Sequence, residues 1–341
     1  MTGILAIEYA LPEKMLTNKE LASLYSNWTA EKIEKKTGIK ERHVSADNET
    51  AADLGVAAAQ KLLGKNIVPK ETIDFLLCVT QSPDYKLPTT ACIMQERLSL
   101  RKNCGAFDIN LGCSGFIYGL AVAKGLVEAG IANNVLLITA ETYSKHINPM
   151  DKSTRTIFGD GAAATLVGHG GIEICDFDLG TDGGGKDLLI IPTGGERKHC
   201  TPETAIEKEI DGNIRSEDNL YMDGAGIFDF TIREVPESVK RILKKESVTP
   251  DDIDLYIFHQ ANRFMLDFLE KLMKLDKRKC YTNFSDIGNT VCASIPIALK
   301  RAMDEGIVKK KQNIVLCGFG VGLSWGSTII KTGVEYDSVK I

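Results

Sequence analysis

The chain has 341 residues, 43% hydrophobic and 26% charged, enough material for about two domains and a composition that excludes a disordered, collagenous or coiled-coil protein. Lys and Arg total 41 against 46 Asp and Glu, a net charge of −5, so bulk charge argues for no nucleic-acid partner. The first 14 residues carry no basic n-region and no long apolar core, and runs such as 135–138 fall far short of the roughly 18 residues of a membrane span. Neither a secretory signal nor a membrane partner is expected. Nine cysteines without C-x-x-C pairs read as reduced thiols rather than a disulfide framework or a zinc site, and a cytoplasmic address is expected.

In chain order, the apolar run 74–78 reads as a buried strand, and 104–113 leads into a helix over 114–127 that carries Phe116, Ile117, Tyr118, Leu120 and Val122 and no charge until Lys124. A helix apolar on nearly every side belongs at the centre of the molecule. A strand follows at 134–138, and the turn 158–162 precedes another at 163–167. The chain then begins again. Residues 254–258 match 74–78, residues 280–289 match 104–113 at an offset of 176, the helical stretches end at Gly130 and Gly306 with the same offset, and 313–317 matches 134–138. Apolar runs alternating with helices are βαβ units, so the chain divides near Gly170-Gly171 into two similar α/β halves, 1–170 and 171–341, with two central helices between two sheets. In the second central helix, 291–303, Pro296 is placed to bend the chain. Residues 182–226, with three consecutive glycines and a mixed-charge run, have no partner in the first half and read as an inserted surface excursion.

The repeat sets Cys113 and Asn289 at equivalent strand-to-helix corners. A thiol at a helix N-terminus is pulled toward thiolate by the backbone dipole. A small buried core cysteine is the ordinary alternative, but the polar corner Asn110-Leu111-Gly112 ahead of Cys113 favours chemistry, and the other eight cysteines lack that setting. His259 follows a strand at its carboxyl end, where catalytic groups gather in α/β folds; His43, His146, His169 and His199 read as solvated. The run Gly318-Phe319-Gly320-Val321-Gly322 precedes a strand rather than a helix, so it is a hairpin that brings backbone N–H groups to the central thiol and not a dinucleotide loop. The 146-residue distance from Cys113 to His259 by itself leaves open a papain-like cysteine hydrolase, whose N-terminal C-G-S-C-W pattern is absent.

Asn110-Leu111-Gly112-Cys113-Ser114-Gly115-Phe116, Phe158-Gly159-Asp160-Gly161-Ala162-Ala163, His259-Gln260-Ala261-Asn262, Gly288-Asn289-Thr290 and Gly318 to Gly326 resemble, in order and spacing, β-ketoacyl-acyl-carrier-protein synthase III, from Thr37-Gly38-Ile39-Lys40-Glu41-Arg42 onward. The resemblance implies a duplicated thiolase-like fold, a layered α-β-α-β-α sandwich with central buried helices, in a homodimer that needs no cofactor and no metal. It implies a Cys113, His259 and Asn289 site, an oxyanion hole from the backbone of Cys113 and Val321, an acyl-coenzyme A or acyl-carrier donor, and malonyl-acyl carrier protein as the second substrate. Departures stand at the donor end: Lys32, Lys36 and Lys152 occupy positions where the family has Trp or Arg, with Trp28 and Arg155 a turn away. Leu87 stands where many relatives place an acyl-pocket Phe. These departures predict a donor other than short acyl-coenzyme A. The basic residues Arg263, Lys271 and Lys274 after His259 are candidates for carrier docking. The competing activity is a synthase-III-like acyltransferase that passes the acyl group to an amine or hydroxyl.

Overall fold

The computed structural model describes residues 1–333. Strand β1 (Thr2–Ala10) is followed by a small hairpin, β2 (Met15–Thr17) and β3 (Glu41–His43), that encloses α1 (Asn18–Leu24) and α2 (Ala30–Thr37). The first half continues through α3 (Ala51–Gly64), β4 (Ile73–Val79), α4 (Thr90–Arg97), β5 (Gly105–Ile109), α5 (Gly115–Glu128), β6 (Asn134–Glu141), α6 (Lys152–Arg155) and β7 (Gly161–His169). The second half opens with β8 (Ile172–Thr181). The excursion adds β9 (Leu189–Ile190), β10 (Lys208–Ile210), β11 (Asn213–Arg215) and β12 (Tyr221–Met222), and then come α7 (Gly224–Lys245), β13 (Leu255–Phe258), α8 (Arg263–Leu272), α9 (Ser294–Asp304), β14 (Asn313–Gly320) and β15 (Ser324–Lys331).

The strands run β13-β14-β15-β8-β1-β7-β6-β4-β5 in one sheet. β4 lies parallel to β5 and β6, as β13 lies parallel to β14, and β6–β7 and β14–β15 are the matching antiparallel pairs. The equivalent of β5 in the second half shrinks to a parallel bridge between Tyr256 and Cys280. The two expected sheets are thus fused along one seam, where Gly3 faces Glu173 and Ile4 faces Ile172. A Cβ on Gly3 would lie 2.1 Å from the Gly170 carbonyl oxygen, so only glycine lets the strands meet there.

Helix α5 packs against β4, β6 and β7 of one half and β14 and β15 of the other, and α9 packs against β1, β7, β13 and β14. Outside, α3 covers β1, β6 and β7 while α7 covers β8, β14 and β15. The result is the five-layer, duplicated thiolase-like arrangement. Phe116, Ile117, Leu120 and Ala123 of α5 are fully buried, each large side chain contributing roughly 1.5–3 kcal/mol by its removal from water. Pro296 stands at the start of α9 rather than in its middle. It is the third residue of the helix, in the first turn, where a backbone N–H has no intrahelical acceptor and proline is tolerated.

Arg42 is fully buried, and its guanidinium donates to the Leu16 and Thr156 carbonyls and to Asn18 Oδ1. It fastens the β2–β3 hairpin to the segment after α6. Burial pushes its pKa down to about 10, which leaves it charged at neutral pH. Among the described residues, no helix is long and apolar enough to cross a membrane.

Candidate active site

Cys113 lies two residues before α5, and Asn289 two residues before a 3-10 turn (Val291–Ala293) that leads into α9. His259 directly follows β13. All three are buried, and all three line one small pocket of about 80 Å³ with Phe158, Leu189, Met265 and Phe319. The halves therefore bring together three residues that are up to 176 positions apart in the chain.

Asn289 is oriented by its neighbour: its Oδ1 accepts the Val291 N–H at 2.9 Å, which turns Nδ2 toward His259 Nε2, 3.3 Å away. Ser294 Oγ lies 2.8 Å from His259 Nδ1 and 3.4 Å from the Gln260 N–H. Where the Ser294 hydroxyl accepts from Gln260 and donates to Nδ1, the ring proton is left on Nε2. Burial pushes the imidazole pKa down to about 3, so the ring is neutral. Two N–H donors then converge with no acceptor between them, a geometry suited to an incoming oxyanion. Ser294 was not singled out in the sequence, where a serine inside an apolar helix carries no signal of its own.

Around the thiol, the β14–β15 hairpin comes so close that a Cβ on Gly320 would sit 2.9 Å from Cys113 Sγ. That approach demands glycine and sets the backbone N–H of Val321 beside the sulfur, where it and the N–H of Cys113 favour the thiolate. Desolvation outweighs them. Burial, and secondarily the charge of Glu141, push the thiol up to about 12, whereas the helix-terminus argument from sequence predicted a lowered value. The dipole of α5 is outweighed because the sulfur has lost nearly all contact with water.

Outside this pocket lies a vestibule of about 570 Å³ lined by Trp28, Lys36, Lys152, Phe228, Arg263 and Phe264. It shares Ile157, Met222, Gly224, Asn262 and Met265 with the inner pocket. Of the predicted donor-binding residues, Trp28, Lys36 and Lys152 line this vestibule. Lys32 instead donates to the Asn27 carbonyl, and Arg155 turns inward to the Ser144 carbonyl. The ammonium groups of Lys36 and Lys32 lie 4.9 and 5.3 Å from the Trp28 ring centre. Arg263 stands at the mouth, Lys271 is exposed further along α8, and Lys274 lines a separate groove with Arg233 and Lys240. Leu87 does not reach Cys113 within the chain; it is 83% exposed.

The excursion contributes Leu189, Leu220 and Met222 to the apolar surroundings of Cys113, and His146 is half-buried beside the Tyr143 ring rather than solvated. Among the described residues, no group of three or more His, Cys, Asp or Glu is placed to hold a metal ion.

Two family models match this chain: 3-oxoacyl-[acyl-carrier-protein] synthase III over residues 107–183 and the C-terminal part of the same enzyme over 243–332. A β-ketoacyl-[acyl-carrier-protein] synthase III of Caldanaerobacter subterraneus is 40% identical over 331 residues, 96% of this chain and 97% of that protein, and one of Clostridioides difficile is 40% identical over 332 residues, 96% and 98%. A crystal structure of a 3-oxoacyl-(acyl-carrier-protein) synthase III superposes with a TM-score of 0.94 at 47% identity, covering 96% of this chain and 99% of that one.

Proposed function

The chain belongs to the 3-oxoacyl-[acyl-carrier-protein] synthase III family, and from that premise we propose that Cys113 is the nucleophile of its acyl transfer and that His259 and Asn289 are the donors of its condensation step. The enzyme transfers an acyl group from a thioester to a cysteine and condenses it, with decarboxylation, onto a malonyl thioester to give a 3-oxoacyl product. The observation that carries the residue assignment is the convergence of His259 Nε2 and Asn289 Nδ2, 3.3 Å apart, in the pocket of Cys113; with the ring proton on Nε2, both are donors.

In the first half-reaction the Cys113 sulfur attacks the donor carbonyl, and the N–H groups of Cys113 and Val321 hold the oxyanion. Collapse expels the donor thiol, which takes up the cysteine proton. A malonyl thioester then places its carbonyl oxygen between His259 and Asn289. Breaking of the carboxylate C–C bond releases CO₂, and the electron pair forms an enolate whose oxygen receives both hydrogen bonds. The enolate carbon attacks acyl-Cys113, and the cysteine sulfur departs and is reprotonated. A neutral imidazole suits this step, because it donates to the enolate oxygen without a positive charge that would hold the malonyl carboxylate against its loss as CO₂.

The donor enters through the vestibule, where Lys36, Lys152 and Arg263 meet its phosphates, and the malonyl group arrives on a carrier whose acidic surface is met by Arg263 and Lys271. An acyl chain on a thin phosphopantetheine arm fits a wide mouth that narrows to about 80 Å³. The exposed Leu87 is covered by a second copy of the chain in a homodimer, where it closes the acyl chamber of the partner.

Intact-protein mass spectrometry tests the nucleophile. Incubation with a panel of acyl-coenzyme A and acyl-carrier donors yields one acyl adduct on the parent and none on Cys113→Ala; uptake by the variant at the parental rate would falsify the assignment.

A further inference from the structure

Glu141, the last residue of β6, is completely buried and takes no part in the steps above. Its Oε1 accepts the Gln81 N–H at 3.0 Å and lies 3.4 Å from Cys292 Sγ, and its Oε2 accepts from Ser82 Oγ at 2.8 Å. No lysine or arginine among the described residues pairs with it. Cys292 belongs to the turn after Asn289, and a Cβ on Gly115, in the first turn of α5, would lie 3.5 Å from Cys292 Cβ. Glu141 is therefore hydrogen-bonded to the loop after β4 and to the turn after Asn289, and that turn lies against the base of the helix that follows Cys113. Ser82 Oγ in turn lies 3.3 Å from Nε2 of the half-buried His146, so a chain of polar contacts runs from Glu141 through Ser82 to His146.

We propose that Glu141 is a positioning residue for Cys113: its carboxyl group is kept neutral while the enzyme works, and its ionisation suppresses the Cys113 thiolate. The proposal rests on Cys113 as the nucleophile. Burial raises the Glu141 pKa to about 8, with Asp160 adding to the rise and the hydrogen bonds from Ser82, Gln81 and Cys292 opposing it. The other titratable groups coupled to this region are Cys78, Cys113, Cys292, Tyr143 and His146. Below about pH 8 the carboxyl is protonated and leaves the Cys113 equilibrium alone. Above it, a buried negative charge with no countercharge works against a second one on the sulfur.

Alkylation of the folded enzyme with iodoacetamide, read at the Cys113 peptide by mass spectrometry from pH 6 to 10, tests this with no acyl donor present. The parent profile should rise with pH and then lag above about pH 8. Glu141→Gln, which keeps an acceptor for Gln81, should match the parent within twofold at pH 6.5 and exceed it five- to tenfold at pH 9.5, and Glu141→Asp should restore the lag. A ratio independent of pH, or a parent profile with one smooth rise and no lag, overturns the proposal. The parent profile decides the matter even where the glutamine variant does not fold. Because the readout needs no thioester, its failure is distinct from a failure of Cys113 to take up an acyl group.

Discussion

Val291 is a β-branched residue at φ 53°, a conformation that costs on the order of 1–3 kcal/mol and persists only where the surroundings hold it. What the conformation accomplishes is local: it presents the Val291 N–H to Asn289 Oδ1, so the amide nitrogen faces His259. His259→Ala and Asn289→Ala should each lower the condensation rate by about 10²–10³ while acyl-Cys113 still accumulates in the absence of a malonyl substrate. Ser294→Ala should cause a smaller loss in the same step, because it removes only the partner that fixes the imidazole tautomer. Condensation within severalfold of the parent in either donor variant, measured with an acyl donor and malonyl-carrier protein, would favour transfer to an amine or hydroxyl instead.

At the scale of elements, α8 divides a basic group that looks uniform in sequence. The side chain of its N-cap, Asn262, accepts the Met265 N–H, and the helix sets Arg263 at the vestibule mouth. Lys274 follows the end of the helix at φ 55° and lines another groove. Arg263→Glu should raise the KM for the malonyl carrier several-fold, about 1 kcal/mol, and flatten its dependence on salt, whereas Lys274→Glu should have the smaller effect. Equal effects in carrier titrations at 50 and 300 mM salt, concentrations that span roughly a twofold change in screening length, would count against a footprint centred on the mouth.

For the whole molecule, β5 ends the nine-stranded sheet with an edge that no strand among the described residues pairs, and Tyr85 and Leu87 on the connection beyond β4 are 62% and 83% exposed. Exposed edges and apolar side chains of this size are usually covered, which supports the homodimer. Light scattering on the eluting protein should give about twice the mass of one chain, and Leu87→Glu should shift it toward the monomer and lower acyl uptake together. A parent that elutes as a monomer, or a variant that stays dimeric with unchanged uptake, would remove Leu87 from the acyl chamber.

Much of the architecture was legible because periodicity and repetition are local properties of a chain. The uncharged run 116–123 placed α5 at the centre, and the offset of 176 paired the corners that carry Cys113 and Asn289. The strand-end position of His259 and the glycine hairpin ahead of β15 were readable for the same reason. Other features depend on which groups meet across the halves, and spacing holds no record of that. The seam between β1 and β8 exists because Gly3 admits the Gly170 carbonyl, and the inward turn of Arg155 follows the Ser144 carbonyl rather than any pattern around it. The protonation states depended on tertiary structure most of all. Sequence placed Cys113 near a helix N-terminus, which favours thiolate, but only the folded interior removes water from the sulfur and sets the buried Glu141 nearby, and in that interior the loss of solvation outweighs the dipole.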